Sequence, residues 1–508
     1  MTDKKQFFVN GLLLTAVALS IRTVYLFFNA FVTKTVGAEG VGLFALLMTV
    51  YGFALTFATS GISLTVTRLV AGAIGEGKEE RVGGILRAAV LYAFSFGTVA
   101  AVVLFFFAPL FSSRVLSDMR TLLPLRVLSL SLIPEALSAV FVGYFVGVRR
   151  VVGNAATQVA AQTFKVIVTC LFVGRLGAVS VGDACLFLSA VSVGADLVAF
   201  LFLLVRFLCD RRRTRGMPSP VLSEMPSVAG MAVPLALSAY IRSALVTVEH
   251  TLIPICLRMR GAGVSESLAS YGVLHGMTLP MILYPMATLT SFAGLLVPEF
   301  AEAKAAGNDA RMCRIAGRAV HTTLVYAVGV SVLMCLFSEE IGYCLYASYD
   351  AGYYIARIAP VIPVMYLDHI TDSMLKGIGE HVYSMWVNIS DACLSVLLVL
   401  LFIPRMGIGG YALVIVLMEA YNFLLSFIRL RRRIRFRVSL FRSLCLPGGA
   451  AALAAFLSHT LFAMHGAATD GLWLFFKTAF AASVFFGLVK LSELIPDRTN
   501  IRYCKTNK

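Results

Sequence analysis

Charge is scarce in this chain: Asp, Glu, Lys and Arg make up 14% of its 508 residues, against about a quarter in an average soluble protein. Long polar stretches are scarce too. Apolar runs of about 20 residues recur from end to end, each long enough to cross about 30 Å of hydrocarbon. These deficits exclude a soluble globular protein and leave no room for a separate soluble domain. The signatures of nucleotide and hydrolytic chemistry are missing, with no G-x-x-x-x-G-K-[ST], no G-x-S-x-G and no H-E-x-x-H. The ten cysteines show no C-x-x-C or metal-ligand spacing and fall mostly within apolar runs, so they read as small core residues. The chain is expected to be no enzyme and to carry no cofactor or metal.

What is there is hydrophobic: 59% of residues, with a mean hydropathy of +0.86. The pattern predicts an all-α polytopic membrane protein of about fourteen spans, at 7–33, 42–70, 85–110, 121–148, 154–174, 182–208, 229–257, 268–297, 313–337, 353–377, 381–403, 407–430, 443–464 and 471–494. The first run continues to about Val32, contains Arg22 and has no good cleavage site, so it reads as an uncleaved span and not a signal peptide. The net charge of +16 sits in alternate loops. Segments on the side of the termini hold 29 Lys and Arg and the opposite side about ten, which places both termini in the cytoplasm. The Arg211–Arg215 group and the run RLRRRIRFR from Arg429 to Arg437 flank spans on that side. Juxtamembrane arginines set topology and attract anionic lipid headgroups, so these read as lipid contacts and not as nucleic-acid sites.

The chain also repeats itself. ALSIRT (Ala18–Thr23) lies beside ALSAYIRS (Ala236–Ser243), matching Arg22 with Arg242 and, seven residues later, Asn29 with Glu249. TSGISLTVTRLVA (Thr59–Ala71) aligns with TSFAGLLVPEFAE (Thr290–Glu302). GVRRVVGNAATQV (Gly147–Val159) aligns with GIGEHVYSMWVNI (Gly377–Ile389), and FVGRLG (Phe172–Gly177) with FIPRMG (Phe402–Gly407). Six spans are an even number, so the two units run in parallel orientation. The expected domains are an N-lobe (1–208), a Pro-containing cytoplasmic linker (209–228), a C-lobe (229–437) and two appended spans with a tail (438–508).

Polar residues inside spans carry the chemistry. Arg242 and Glu249 lie seven residues apart on one face of MAVPLALSAYIRSALVTVEHTLIP (Met231–Pro254), roughly 10 Å along the helix. Each such charge costs on the order of 3 kcal/mol at mid-membrane, which calls for helix-bundle partners or a water-filled cavity. Span 5 carries the stripe Asn154, Gln158, Gln162, Lys165 and Thr169. Span 10 carries Asp368, Asp372 and Lys376 at i, i+4 and i+8, with His369 and Ser373 beside them. Lys376 is placed to neutralise Asp372, leaving Asp368 for a proton or cation. Span 11 adds Asn388, Asp391 and Ser395, and span 6 adds Asp196. Glu135 and Glu419 carry no evident role, and His275 reads as a packed polar residue.

With the repeat and the paired arginines in hand, the chain resembles the stage V sporulation protein B family. Those are polysaccharide-biosynthesis membrane proteins in the superfamily that includes multidrug (MATE) exporters and lipid II flippases. The likeness is carried by VGAEGVGLF (Val36–Phe44), SALVTVEHTLIP (Ser243–Pro254), YGVLHGMTLPMILYP (Tyr271–Pro285), LLVPEFAEAKAAGN (Leu295–Asn308) and MYLDHITDSMLKGIGEHVYSMWVNI (Met365–Ile389), spread over roughly residues 7 to 440. It implies a MATE-like fold of two alternating six-helix lobes around a cationic cavity. The implied cargo is an undecaprenyl-pyrophosphate-linked saccharide or lipid II, and cell-wall polymerases are implied partners. On this reading Arg22 and Arg242 hold pyrophosphate, within a cavity that includes Asn29, Lys165 and Glu249, and Glu249, Asp368 and Asp372 serve ion coupling or gating. Two other readings stay open: a MATE-like proton or sodium antiporter exchanging on Glu249 or Asp368, and a non-transporting scaffold for cell-wall enzymes.

Overall fold

A computed structural model describes residues 2–150, 152–176, 180–211, 221–436, 439, 441–463 and 471–493. The middle of the expected linker, most of the Arg211–Arg215 group and the tail beyond 493 lie outside the described residues. Every regular element among those described is helical. This follows from the composition, because in hydrocarbon a backbone must satisfy its own N–H and C=O groups. The all-α membrane fold is as the sequence predicts.

The chain falls into two compact units. The first comprises residues up to Phe28, Thr35–Arg258 and Ala262–Gly272; the second comprises Asn29–Lys34, Met259–Gly261 and the chain from Val273 onward. Helices of the first unit are α1 (Thr2–Thr59), α2 (Ile62–Gly75), α3 (Glu79–Leu110), α4 (Leu122–Ser129), α5 (Leu132–Gly147), α6 (Val152–Leu176), α7 (Val181–Arg211), α8 (Val221–Met259) and α9 (Val264–Gly272). Expected span 7, in α8, thus packs with the first six.

α1 holds expected spans 1 and 2 as two helices that meet in a kink at Gly37 (φ 79°), whose backbone is not helical and which falls in the gap between the two expected spans. A further break comes inside expected span 2, at Ser60 and Gly61, both with positive φ. Gly61 suits the position twice over, since a Cβ there would also stand 3.1 Å from the Ala232 carbonyl oxygen. A broken helix at membrane depth is tolerated where protein buries it. Ser60 is 1% exposed, and its hydroxyl bonds Tyr92 Oη at 2.9 Å and Tyr240 Oη.

The second unit continues with α10 (Leu279–Leu283), α11 (Met286–Ala305), α12 (Asp309–Leu336), α13 (Ser338–Tyr346), α14 (Tyr349–Ile358), α15 (Ile362–Gly377), α16 (His381–Met406), α17 (Ile408–Arg433), α18 (Leu446–Ala463) and α19 (Gly471–Glu493). The last two, the appended spans, dock on α12. Phe485 packs on Gly329, where a Cβ would stand 2.4 Å from the ring, and Lys477 Nζ meets Glu340 Oε1 at 2.5 Å.

The duplication is written into the backbone. Positive-φ residues recur at a constant offset of 230: Gly77 and Gly307, Ser117 and Ala347, Arg149 and Gly379. α5 and α15 start and end at the same offset. Each closes on a glycine pressed against the same partner positions. A Cβ on Gly147 would meet Thr67 O and Val70 Cβ at 3.1 Å; one on Gly377 would meet Val297 O at 2.9 Å and Phe300 Cβ at 2.7 Å.

Among the described residues ten helices are long and apolar enough to cross a membrane, or up to twelve if each of two bent pairs is one span. Fourteen are expected from hydropathy. Two places account for the difference: Leu19–Gly75, 57 residues, is taken as one span although Gly37 interrupts it between expected spans 1 and 2, and expected span 10 is divided by a 3₁₀ turn at Ala359–Val361 into α14 and α15.

Candidate functional site

The residues that matter are the polar ones inside spans, and each unit gathers its own. In the first unit, α8 runs along the second half of α1. Ser243 Oγ donates to Thr56 Oγ1 at 3.3 Å, Thr247 Oγ1 to Thr49 O at 3.3 Å, and the Tyr240 ring stacks on Phe57 at 5.3 Å. These contacts occupy one face of α8, and Arg242 and Glu249 project from another. Arg242 is exposed, as are Arg22 on α1 and Arg68 on α2. None of the three forms an ion pair among the described residues. The structure records no contact between Arg22 and Arg242. Glu249 is half-buried and acts electrostatically on the fully buried Tyr271 of α9, whose Oη lies 2.8 Å from His250 Nδ1.

Lys165 of α6 is half-buried, its Nζ 6.0 Å from the centre of the Phe28 ring, and Asp196 of α7 is the acid that acts on it. Asp196 in turn accepts from Tyr51 Oη at 3.4 Å and is hydrogen-bonded to Glu135 of α5. Lys165 therefore stands among acids, a different setting from the exposed arginines.

The second unit holds Asn29, Asp368 and Asp372. Asn29 donates from Nδ2 to Gly276 O at 2.7 Å. Asp372 Oδ2 meets Lys376 Nζ at 2.5 Å, the i, i+4 pair the sequence predicts. Asp368 is left with Ser426 of α17 as its hydrogen-bond partner on one oxygen, while its Oδ1 is buried without a partner. Asp391 of α16 and Glu419 of α17 lie within electrostatic reach of it. His275 bonds Tyr411 through Nε2 at 2.7 Å and stacks on its ring, as a packed polar residue would. Among the described residues no three His, Cys, Asp or Glu side chains are arranged to hold a metal ion.

Sequence spacing brought out the stripes on single helices but missed the groupings across helices. Glu135 with Asp196, and Glu419 with Asp368 and Asp391, have no local signature. The signal available was the rarity of any carboxyl inside an apolar span.

This architecture has relatives. The pattern of the polysaccharide biosynthesis protein family matches residues 8–302. The chain belongs to this family. The family member also matches the MatE pattern over residues 240–401, so the two patterns together reach across both repeats. It is 24% identical over 428 residues to stage V sporulation protein B of Bacillus subtilis (strain 168), covering 81% of each chain. It is 21% identical to sporulation protein YkvU of the same organism, covering 70% of this chain and 78% of that one. Its fold is similar to an inward-facing multidrug resistance MATE family transporter of the MOP superfamily, with a TM-score of 0.67 at 15% identity over 82% of this chain and 98% of that one. It is equally similar to the lipid II flippase MurJ in an inward closed conformation, with a TM-score of 0.67 at 13% identity over 96% of this chain and 100% of that one. The resemblance expected from the sequence is thereby shown, and with it a multi-pass membrane protein of MATE-like fold.

Proposed function

We propose that this family member is a flippase that moves an undecaprenyl-pyrophosphate-linked cell-wall saccharide across the bacterial cytoplasmic membrane by alternating access, in spore-cortex peptidoglycan synthesis. The lobes are 1–208 and 229–437, joined by the linker 209–228, with 438–508 appended and both termini cytoplasmic. The observation that carries the reading is Arg22 and Arg242, exposed side chains within otherwise apolar spans and without ion pairs among the described residues. An arginine there costs on the order of 3 kcal/mol and is offset by an anion. A pyrophosphate presents paired oxygens that match the guanidinium fork, and the polyprenyl tail stays in lipid. Asn29, Lys165 and Glu249 complete the polar lining. Glu249, Asp368 and Asp372 belong to the charge network that changes between states. The relatives' names, a sporulation protein and a lipid II flippase, favour the same cargo class.

Purified protein in nanodiscs should bind a fluorescent polyprenyl pyrophosphate, and Arg22→Ala and Arg242→Ala should each weaken binding about tenfold or more, as loss of a charge-assisted bond implies. Wild-type affinity in both variants would overturn the reading. Complementation of a strain lacking its lipid II flippase, scored by surface labelling of the precursor, extends the test to cells.

One observation favours a second reading, a proton- or sodium-coupled drug antiporter: the buried Asp368 oxygen with Asp391 and Glu419 nearby. Gradient-driven drug efflux abolished by Asp368→Asn or Glu249→Gln, with precursor binding absent, would decide for it.

A further inference from the structure

Of the three parts of the proposed cargo, the pyrophosphate has its arginines and the polyprenyl tail has the lipid. The saccharide has no site. In the second repeat α13 and α14 form a helical hairpin that turns at Ala347, with φ 52°, and Ser348, whose hydroxyl accepts from Ala351 N at 3.2 Å. The two helices meet backbone to backbone, since a Cβ on Gly342 would stand 2.4 Å from Gly352 N. Five of the chain's 18 tyrosines fall within residues 343–354 of this hairpin. The equivalent residues of the first repeat, 113–124, hold none.

Tyr346 is buried, but three of the others face outward: Tyr343, Tyr349 and Tyr353 are 39%, 68% and 47% exposed. The rings of Tyr343 and Tyr349, one from each helix, stack with their centres 5.0 Å apart. The Arg357 guanidinium lies 4.2 Å from the centre of the Tyr353 ring. Helical spacing puts exposed acids on the same face, Glu339 one turn before Tyr343 and Asp350 one turn before Tyr353. The hairpin thus presents a preformed aromatic plate rimmed by carboxylates and a guanidinium.

The rim decides what the plate can take. Hydrocarbon is excluded, because Glu339, Asp350 and Arg357 would lose their water there. Anionic headgroups are disfavoured, because residues 338–358 carry three acids and one base in a chain whose net charge is +16. Glu340, the third acid, is paired with Lys477, and Lys34 Nζ is held by Cys344 O at 2.6 Å. An uncharged sugar ring fits. Its C–H face can lie flat on an aromatic ring, while its hydroxyls donate to the carboxylates and accept from the guanidinium. In the first repeat the places of the three outward tyrosines hold Ser113, Met119 and Leu123, which offer no ring.

We propose that the tyrosine face of α13 and α14 is a saccharide-binding platform on the outer side of the membrane, taking an uncharged hexose or N-acetylhexosamine ring of the cargo once it has crossed. The outer placement and the cargo rest on the flippase reading; the affinity for sugar does not.

Saturation-transfer NMR of the full chain in nanodiscs tests the platform with chitotetraose, a soluble N-acetylglucosamine oligomer that has neither lipid nor phosphate. Its ring and acetyl protons should receive saturation from wild type. Tyr349→Ala should weaken binding about fivefold or more, whereas Tyr349→Phe should keep most of it because the ring survives. Tyr349 is 68% exposed, so neither change disturbs the core. No transfer from wild type, or equal transfer from Tyr349→Ala and from the Tyr343→Ala/Tyr349→Ala double variant, overturns the platform. So does a face that serves only as a membrane anchor, whose variants would change melting with headgroup composition while no sugar binds. Polyprenyl pyrophosphate binding in wild type without chitotetraose binding overturns the platform alone. Chitotetraose binding without polyprenyl pyrophosphate binding overturns the flippase reading and leaves the platform standing.

Discussion

The two repeats share a backbone and differ in what secures it. At the turn after α5, Arg149 adopts φ 59°; at the turn after α15, Gly379 adopts φ 84°. The same loop is thus strained in the first copy and relaxed in the second. One residue on, Arg150 pairs with Asp210 at the end of α7, and Tyr144 Oη donates to that carboxyl at 2.7 Å. In the second copy Glu380 takes Arg429 at 2.8 Å and Arg433 at 2.6 Å from the end of α17. The tie is the same with its polarity reversed. At the other end, Ser112 is buried and accepts from Thr121 Oγ1 at 3.0 Å. Its counterpart Gly342 lies so close to Gly352 that a Cβ would stand 2.4 Å from that backbone nitrogen. A duplicated fold tolerates different chemistry at equivalent places provided each copy is satisfied locally.

Substitutions that exchange these solutions test the comparison. Gly342→Ser should be the most damaging, because two backbones must separate; about 3 kcal/mol is expected, whereas Ser112→Gly should cost no more than about 2 kcal/mol, for one buried hydrogen bond and a helical glycine. Thermal melting in detergent that ranks them the other way would break the equivalence. The ties come next. Glu380→Gln leaves two arginines without their acid and should lower the melting point more than Asp210→Asn, with each effect about 1 kcal/mol because the arginines of both ties are partly exposed. The Glu380 carboxyl is held below the usual range, first by its hydrogen bond to Arg429. A depressed value means its stabilisation is present at neutral pH and is lost as pH falls through that value. The gap between wild type and Glu380→Gln should therefore close on acidification. The smallest pair is Arg149→Gly, expected to stabilise by about 1 kcal/mol, and Gly379→Ala, expected to destabilise by a similar amount. Two changes of the same sign would show that the loops are not equivalent.

Much of this was legible in the sequence. The repeat appeared there at an offset near 230 because Arg-Arg before span 5 and Gly-x-Gly-Glu before span 11 mark one turn. Asp372 with Lys376 was legible because its spacing is helical. The kink at Gly37 falls in the gap between expected spans 1 and 2, whereas the break at Ser60 and Gly61 was not legible, because it lies inside an apolar run. Nor was the Glu135–Asp196 pair, whose members lie on different helices and meet only when α5 packs on α7. Hydropathy reports which residues avoid water. It carries no record of which buried acid faces which.

The reversed polarity of the two ties bears on assembly. Copies with equivalent turns offer equivalent docking sites, so while the helices are still settling in the bilayer either turn has two helix ends to choose from. The wrong choice sets Arg150 against Arg433 and Glu380 against Asp210, like against like. Each half thus carries a charge key that fits its own lock, and the twin folds need no difference in shape to be told apart.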